Sequence, residues 1–327
     1  MKTYDVVTIC NALMDILIKV EESDITRLEL NKGVMHLVDS SRQSQILNEF
    51  STREQTIELG GSALNALRSI ATLGGRTLFA GMVGQDDFGS RIIHRLNDLN
   101  IDCQLKEITH EQTGTCLILV TPDGERTMNT CLGASRLYDE TLVPHNALAN
   151  AKILHFCGYQ WDTEDQMQAI YKAMDEAKAK NVLISFDVAD PFVVERNKDE
   201  FRRIITEYAD IVFANERESE LLFDVPAEQA AMEIAKCNAT AVVKLGAKGA
   251  VIVSNGNTFK IAPEATHVVD TTAAGDMFAG GFLFAYAKNQ PLSICGQAAA
   301  ILAADVISRV GTTVSTEAYH RVKSLLS

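Results

Sequence analysis

Short apolar runs rich in valine, isoleucine and phenylalanine recur along the chain. Several are separated by segments of helix length, such as residues 163–180, whose charged and apolar positions fall on two faces. A strand followed by a helix, repeated several times, predicts a largely parallel sheet covered by helices. The runs that show this alternation cover residues 6–10, 77–83, 153–157, 182–186, 211–214 and 241–245.

Two stretches, residues 13–39 and 101–132, break this alternation. Both have strand-like patterns without a helix between the strands, and a turn sequence lies at residues 121–125. We expect both stretches to form strands of a small separate sheet.

The carboxyl-terminal part of the chain predicts a hairpin and two helices. Residues 251–254 and 258–262 flank Asn255-Gly256, a dipeptide that favours a tight hairpin turn. Helical patterns follow at about residues 275–288 and 292–309, and these two helices are expected to close the chain.

Length and composition narrow the classes of protein. A chain of 327 residues with 46% hydrophobic and 22% charged residues can bury a large core, which favours one large α/β unit over two equal domains. The net charge of −13 argues against a nucleic acid or an anionic membrane as the main partner. An anionic cofactor can still bind at helix N-termini.

The cysteines and the amino end predict a cytoplasmic protein. The seven cysteines form no CxxC pair or other short metal-type spacing, so reduced core thiols are expected. The first ten residues lack the apolar run of a signal peptide, and no apolar run is long enough to cross a bilayer.

The strongest candidate for chemistry lies in residues 266–281, which pass from a strand through small residues into a helix. Small residues at 273–275 would let backbone N–H groups point at a bound anion, and the helix dipole adds to that attraction. Asp276, in the first turn, could accept a proton from a hydroxyl that attacks a phosphate at this place. From these residues alone, an aspartate that only caps a helix is an equal alternative.

Polar residues at two other places could bind a ligand. Residues 60–65 (GGSALN) precede a helical pattern, with Ser62 as a candidate N-cap and glycines that would allow close approach of a ligand. An ordinary start of a helix is the alternative. Asn11 and Asp15 bracket the end of the first strand, where open α/β sheets bind ligands, although turn residues also occur there.

Two glycine-containing segments carry a family resemblance. Residues 60–75 (GGSALNALRSIATLGG) and 270–282 (DTTAAGDMFAGGF) resemble, in order and spacing, the two signatures of the ribokinase and adenosine kinase family, also called PfkB carbohydrate kinases. Residues 83–89, 215–218 and 244–249 add further matches, so the similarity extends over almost the whole chain.

The resemblance implies both a fold and an activity. The fold is a ribokinase-like α/β three-layer sandwich, with a mostly parallel central sheet and a small β-sheet lid. The lid would come from residues 13–39 and 101–132, inserted in a single domain of residues 1–327. The activity is transfer of the γ-phosphoryl group of ATP, with Mg²⁺, to a hydroxymethyl group of a nucleoside or a sugar.

The same resemblance assigns the catalytic residues. It makes Asp276 the general base, and the backbone of Ala274, Gly275 and Asp276 the anion hole, with Ala273 beside it. The family usually has glycine where this chain has Ala273. A methyl group there could crowd the phosphate or restrict the backbone, which bears on efficiency more than on the type of reaction.

The resemblance also implies which residues bind the metal and the nucleotide. Asn215 and Glu218 match the family's N-x-x-E element, which orders Mg²⁺ and phosphate through water, and Asp187 at a strand end is expected to help. Without the family, Glu218 would be a surface carboxylate on a short helix. The remaining nucleotide-binding positions are Lys244, Gly246 and Gly249. For these three, a plain β-turn is the alternative.

The family positions that hold ribose or sugar hydroxyls fall on Asn11, Asp15, Gly60, Gly61 and Asn65. Arg126, in the predicted lid, could pair with phosphate or close over the substrate. Asp270 and Thr272 resemble a monovalent-cation loop, which Val306 and Gly311 would complete. This part of the resemblance predicts dependence on K⁺.

The choice of substrate rests on two segments. Residues 11–15 and 158–160 look more like the adenosine kinase branch than like ribokinases. Tyr159, or Phe156 nearby, could stack on a purine, although an aromatic residue at a strand end is often core. Adenosine is therefore the leading substrate, and a sugar such as ribose or fructose is the alternative.

Two rival functions are weighed against the kinase. A catalytically silent relative that binds nucleotide or sugar is favoured only by Ala273. A nicotinamide-binding oxidoreductase is excluded, because no GxGxxG opens the first helix after a strand. A monomer or a homodimer is expected, since exposed edge strands of the small sheet could pair between subunits.

Overall fold

Two β-sheets and a set of helices make up the computed structural model, which describes residues 2–327. The strands are β1 (Tyr4–Ile9), β2 (Leu13–Lys19), β3 (Met35–Leu37), β4 (Gln55–Gly60), β5 (Thr77–Gly84), β6 (Asp102–Ile108), β7 (Thr113–Val120), β8 (Arg126–Gly133), β9 (Ala151–Cys157), β10 (Leu183–Asp187), β11 (Ile211–Asn215), β12 (Thr240–Lys244), β13 (Ala250–Ser254) and β14 (Asn257–Ile261).

The helices cover the larger sheet and connect the strands. They are α1 (Glu22–Arg27), α2 (Ser40–Glu49), α3 (Ser62–Leu73), α4 (Asp87–Asp98), α5 (His145–Ala149), α6 (Glu164–Ala179), α7 (Pro191–Glu207), α8 (Glu216–Phe223), α9 (Ala227–Lys236), α10 (Ala274–Ala287), α11 (Leu292–Val306) and α12 (Thr316–Leu326). Within residues 2–327, no helix is both long enough and apolar enough to cross a membrane.

The larger sheet has nine strands in the order β14-β13-β12-β11-β10-β9-β1-β5-β6. The strands from β12 to β6 pair in parallel, and β13 and β14 add an antiparallel hairpin at one edge. All six apolar runs of the sequence are strands of this sheet. The hairpin turn also forms as predicted, with positive φ at both Asn255 and Gly256, the conformation that a tight two-residue turn requires.

Helices pack on both faces of this sheet, which gives the predicted three layers. Successive strand residues point to opposite faces, so Val6 belongs to the apolar core on one face and Val7 to the core on the other. The first core contains Phe282 of α10, and the second contains Phe201 of α7. Burial on both faces explains why the central strands are continuous apolar runs rather than alternating ones.

The small sheet has five strands in the order β3-β8-β7-β2-β4. Its existence confirms the prediction of a second sheet, but two details of the prediction are wrong. β6 lies within the stretch 101–132, yet it pairs with β5 at the edge of the large sheet. β4 was not predicted, although it pairs with β2. Both are edge strands with few buried residues, so their apolar signal is weak or alternating.

Helices also occur where none was expected. The stretch 13–39 contains the short helix α1 between β2 and β3. The chain ends with a third helix, α12, rather than with the two that were predicted. In α12 the fully buried positions are Ala318 and Val322, so only one narrow apolar stripe marks it in the sequence.

Candidate active site

A cavity of about 990 Å³ lies between the carboxyl ends of the parallel strands and the small sheet. Asp187 at the end of β10 and Lys244 at the end of β12 line it from the large sheet. Asp15 of β2 and Arg126 of β8 line it from the small sheet. This is the edge at which open α/β sheets bind ligands.

Asp276 lies in the first turn of α10 and lines this cavity. Its Oδ1 accepts a hydrogen bond from the Ser62 hydroxyl at 2.7 Å, and its Oδ2 accepts one from the Asn65 amide at 2.9 Å. Burial raises the pKa of Asp276 above its ordinary value, although these two donors oppose the increase. The carboxylate is therefore oriented and has a higher proton affinity than an exposed aspartate.

Close packing of two helices brings these three residues together. A Cβ at Gly280 of α10 would lie 1.9 Å from the Ser69 Oγ and 2.6 Å from the Ala66 carbonyl oxygen of α3. Only glycine therefore allows this crossing. Asp276 lies one turn before Gly280, and its partners on α3 lie about one turn before Ser69 and Ala66. The contact at Gly280 thus sets the distance between the carboxylate and its donors.

The N-terminus of α10 begins with a left-handed residue. Ala273 is its N-cap residue, with φ 56° and ψ 13°. This conformation costs an L-residue other than glycine about 1–2 kcal/mol. Ala274 and Gly275 follow in the first turn, and both line the cavity. The first N–H groups of a helix have no partner within the helix, so this turn can hold an anion.

Lys244 places a positive charge beside this turn. A Cβ on Gly275 would lie 3.0 Å from the Lys244 Nζ, which is also 3.3 Å from Asp187 Oδ2. Burial lowers the pKa of Lys244, but the neighbouring carboxylates of Asp187 and Glu218 outweigh burial and raise it. The lysine is therefore charged, and its ammonium lies beside the first turn of α10.

Glu218 and Asn215 form a reciprocal cap at the start of α8. The Asn215 N–H and side-chain amide donate to the two oxygens of Glu218 at 2.7 and 2.6 Å, and the Asn215 Oδ1 accepts from the Glu218 N–H. Glu218 is buried, so it is not the surface carboxylate expected without the family resemblance. Burial raises its pKa to about 7, although the positive charge of Lys244 opposes the increase. Both residues line the cavity.

The donor set near Asp187 and Glu218 fits a hydrated Mg²⁺. Carboxylate oxygens are the ligands that Mg²⁺ prefers, and Mg²⁺ usually keeps several waters. Each oxygen of Glu218 accepts one bond from Asn215 and keeps a further lone pair, so the residue can contact a hydrated ion. Residues 2–327 contain no cluster of three or more histidine, cysteine or acidic side chains able to hold an ion alone.

The two glycines after β12 differ in their surroundings. Gly249 has φ 88°, and a Cβ there would lie 2.0 Å from the Ile261 carbonyl oxygen of the hairpin. Packing within the protein therefore requires glycine at position 249. Gly246 has φ 58° and open space around a Cβ, so the left-handed backbone conformation, and not packing, favours glycine at this position. Both line the cavity.

Asn11, just before β2, and Asp15, within β2, both line the cavity. Asn11 is engaged by the protein, since its amide donates to the Tyr159 carbonyl oxygen and accepts from Gln166. Asp15 accepts no hydrogen bond from the residues described. Its pKa is raised to about 7 by burial, and the charges of Asp276 and Glu58 add to the increase.

The glycines before α3 make room for these polar groups. A Cβ on Gly60 would lie 2.1 Å from Asp15 Oδ1, and one on Gly61 would lie 2.6 Å from the Asn11 carbonyl oxygen. Gly61, with φ 100°, is the N-cap residue of α3. The prediction that Ser62 is the N-cap is therefore wrong, because its hydroxyl bonds to Asp276 instead.

The face of the small sheet toward the cavity is largely apolar. Its side chains alternate along the strands and include Leu13, Met35, Leu37, Ile118, Met128 and Leu132. Tyr159 lines the cavity from the large sheet. Phe156 does not, because it is fully buried and stacks on Phe186 with ring centroids 5.3 Å apart. The suggestion that Phe156 could stack on a ligand is wrong.

Asp270 is satisfied by neighbouring residues. Its Oδ1 accepts from the N–H of Thr272 at 2.8 Å and from the Thr272 hydroxyl, and its Oδ2 accepts from the Gly311 N–H at 2.9 Å. The Arg126 guanidinium lies 3.8 Å from Asp270 Oδ1. Val306 is fully buried in the core. A cation at Asp270 would therefore share this carboxylate with an arginine.

Several proteins of known structure or sequence are similar to this chain. The model of the pfkB family carbohydrate kinases matches residues 37–318. The crystal structure of a probable sugar kinase from Rhizobium etli CFN 42 has a TM-score of 0.93 and 32% sequence identity, covering 99% of each chain. The adenosine kinase of Sinorhizobium meliloti has a TM-score of 0.93 and 31% identity, covering 98% of this chain and 99% of that one. Saccharomyces cerevisiae adenosine kinase is 28% identical over 337 residues, which covers 96% of this chain and 98% of that protein.

Proposed function

This chain belongs to the pfkB family of carbohydrate kinases, and we propose that it transfers the γ-phosphoryl group of ATP, with Mg²⁺, to a hydroxymethyl group of adenosine. Membership of the family makes the chain a phosphotransferase with an alcohol acceptor and a small-molecule substrate. The proposal concerns the identities of the acceptor, the phosphoryl donor and the metal.

One observation carries it: Asp276 lies at the N-terminus of α10, in the cavity, and two donors hold its carboxylate. A hydroxyl that attacks a phosphorus atom loses its proton during the reaction, and a carboxylate within hydrogen-bond reach can accept it. The N–H groups of the same helix turn can bind the phosphate that is attacked, although that of Ala274 now bonds to the Thr271 carbonyl oxygen at 3.3 Å. The base and the anion site thus share one turn of helix.

The reaction follows from these positions. The acceptor hydroxyl lies between Asp276 and the γ-phosphate, and its proton passes to Asp276 as the new P–O bond forms. The N–H groups of Ala274, Gly275 and Asp276 and the ammonium of Lys244 stabilise the negative charge on the phosphoryl oxygens. The small sheet covers the cavity and excludes water, which would otherwise compete as the acceptor.

Mg²⁺, when bound, neutralises charge between the β- and γ-phosphates. Glu218, Asn215 and Asp187 would hold it through water. Lys244 now bonds to Asp187 at 3.3 Å. Once phosphates are present they compete for the lysine, which leaves Asp187 available to the hydrated ion. Gly246 and Gly249 border the part of the cavity assigned to the base and ribose of ATP.

The lining of the acceptor end favours a nucleoside over a free sugar. Asp15, whose pKa is raised to about 7, offers two acceptor oxygens when ionised and one donor with one acceptor when protonated. Either state can bond to a pair of ribose hydroxyls, which either type of substrate has. The apolar side chains of the small sheet suit only a substrate with an apolar flat part, such as a purine base. Tyr159 and Arg126 border the same space. A free sugar, such as ribose or fructose, would leave this apolar surface uncovered.

The proposal also covers the effect of Ala273, the use of K⁺, the cellular setting and the oligomeric state. The structure accommodates Ala273 in the left-handed conformation, so the methyl group does not by itself imply a silent protein. K⁺ at Asp270 and Thr272 is the remaining cofactor proposal, and the rate in K⁺ compared with Na⁺ tests it. A cytoplasmic setting and a monomeric or homodimeric state are also proposed.

The direct test is a panel of acceptors with ATP and Mg²⁺. ADP release is followed with adenosine, other nucleosides, ribose and fructose, and the product is identified by mass spectrometry and phosphorus NMR. The proposal predicts the highest kcat/KM with adenosine and a phosphate on its hydroxymethyl oxygen. Faster reaction with ribose or fructose would make the chain a sugar kinase. No ADP release above that of the variant Asp276→Asn would show a silent relative.

A further inference from the structure

Arg68 lies one turn after Asn65 on α3 and is not one of the described residues that line the cavity. Its Nη1 donates to three acceptors: Asn65 Oδ1 at 3.0 Å, the Thr312 hydroxyl at 3.1 Å and the Leu59 carbonyl oxygen at 3.2 Å. Because Nη1 has two hydrogens, at least one of them is shared between two of these acceptors. Arg68 therefore joins three separate parts of the chain beside the candidate base.

The contact with Asn65 determines the direction of its amide. An asparagine side chain has one acceptor oxygen and one donor nitrogen. Because Arg68 occupies the oxygen, the nitrogen must point the other way, where it donates to Asp276 Oδ2 at 2.9 Å. Both polar ends of Asn65 are thus used within the protein. Asn65 also lines the cavity and its amide nitrogen has a second hydrogen, so its contact with substrate hydroxyls stays a prediction.

The opposite side of Arg68 connects to the small sheet. Leu59 and Glu58 belong to β4. Glu58 Oε2 accepts from both the N–H and the hydroxyl of Thr312, each at 3.1 Å. The Thr312 hydroxyl therefore donates to Glu58 and accepts from Arg68. A continuous set of hydrogen bonds runs from the small sheet through Arg68 to Asn65.

We infer that Arg68 is a positioning residue for phosphoryl transfer, which holds the Asn65 amide so that it orients Asp276 toward the acceptor hydroxyl. This inference rests on the proposed function, since it assumes that Asp276 accepts the proton. Arg68 contacts neither substrate in this account and acts only through Asn65. Misplacement of a reacting group by a fraction of an ångström lowers the rate of the chemical step more than the binding of substrates.

A double-mutant cycle tests the inference. The variants are Arg68→Gln, Asn65→Ala and the double variant, with kcat and KM measured for ATP and for the acceptor that the wild-type chain uses best. Arg68→Gln should lower kcat about tenfold, with KM changed less than about threefold. In the Asn65→Ala background the same substitution should lower kcat less than about twofold, because the path is already broken. Arg68→Lys, which keeps the positive charge and a donor of similar reach, should restore part of the rate.

Thr312→Ala is the matched control. It removes another contact of Arg68 but leaves the contact with Asn65, so its kcat should stay within about twofold of wild type. An equal fall in kcat from Arg68→Gln in both backgrounds would overturn the inference, as would a wild-type kcat in Arg68→Gln. If Arg68→Gln does not fold, Arg68→Met, which has no hydrogen-bond donor, takes its place in the cycle under the same criteria. If the wild-type chain transfers phosphate to no acceptor, the proposed function fails and this inference fails with it.

Discussion

The carboxylate of Asp276 accepts a hydrogen bond from the side-chain amide of Asn65 at 2.9 Å, across a separation of 211 residues in the sequence. This contact joins the first turns of α10 and α3, the helices that contain the two glycine-rich signatures. It exists because α3 and α10 cross at Gly280 without an intervening side chain. The signatures are therefore two halves of one site.

Gly280→Ala tests the role of this helix crossing. The added methyl group would meet the Ser69 hydroxyl and the Ala66 carbonyl oxygen, so the helices must separate. We expect a loss of about 1–3 kcal/mol in the free energy of unfolding, measured in urea, together with a lower kcat. Adding Ser69→Ala should recover only part of both losses, because the backbone oxygen of Ala66 remains. Full recovery would show that the contact with Ser69 is the only constraint.

Ala273→Gly tests the backbone conformation at the start of α10. Glycine adopts the left-handed conformation of residue 273 without the steric cost that alanine has. The gain is partly offset by the greater freedom of glycine in the unfolded chain. We expect a net increase of about 0.5–1 kcal/mol in the free energy of unfolding.

The control for this substitution is Ala274→Gly, at the next position. Residue 274 is helical, so glycine there should lower the free energy of unfolding rather than raise it. Equal effects at 273 and 274 would contradict the argument from φ.

Asp15→Asn tests the cost of a buried carboxylate in the cavity. Burial raises the pKa of Asp15 to about 7 in the folded protein, whereas an aspartate in an unfolded chain has a pKa near 4. The folded state therefore binds more protons in this window, so its stability falls as pH rises through it. Asp15→Asn should increase the free energy of unfolding above pH 7, by on the order of 1–4 kcal/mol, and change it little near pH 4. The variant should also bind adenosine more weakly.

Asp5→Asn is the matched control with the opposite sign. Asp5 is also buried, and burial alone would raise its pKa, but the bonds from Lys152 and the Arg76 N–H lower it instead. Its removal should decrease the free energy of unfolding at pH 7, with a difference that shrinks as pH falls below about 4. Urea unfolding between pH 4 and pH 8 compares both variants. A stabilising effect of Asp5→Asn at pH 7 would show that the assignment of the two carboxylates is wrong.

The sequence predicts the large sheet well because its strands are buried on both faces and its hairpin has a distinctive turn. It fails at β4 and β6, whose edge positions leave exposed residues that resemble loop or amphipathic patterns. The same reason applies to α12, which buries only two positions. The apolar pattern of a segment reflects how much of that segment is buried. Strands and helices at the edge of the fold therefore give only a weak pattern in the sequence.

For the site, the sequence identifies residues that line the cavity but not the bonds between them. The motif marks Asp276, yet its partner Ser62 was assigned to a helix cap, since a local rule cannot foresee a contact 214 residues away. Lys244 was expected near the nucleotide, and the structure adds that its ammonium lies beside Gly275. Arg68 lies within the first glycine-containing segment, residues 60–75, but no role was assigned to it there. Its spacing from Asn65, one helical turn, is a sequence feature that could have suggested the contact.

The measurement that tests the central claim most directly is single-turnover phosphoryl transfer by Asp276→Asn beside Asp165→Asn. Asp165 also lies in the first turn of a helix, α6, but is exposed to solvent. If Asp276 accepts the proton, Asp276→Asn should lower the rate of transfer about 10²–10⁴-fold with adenosine and ATP still bound, and Asp165→Asn should equal the wild type. A rate for Asp276→Asn within about threefold of the wild type would contradict the account.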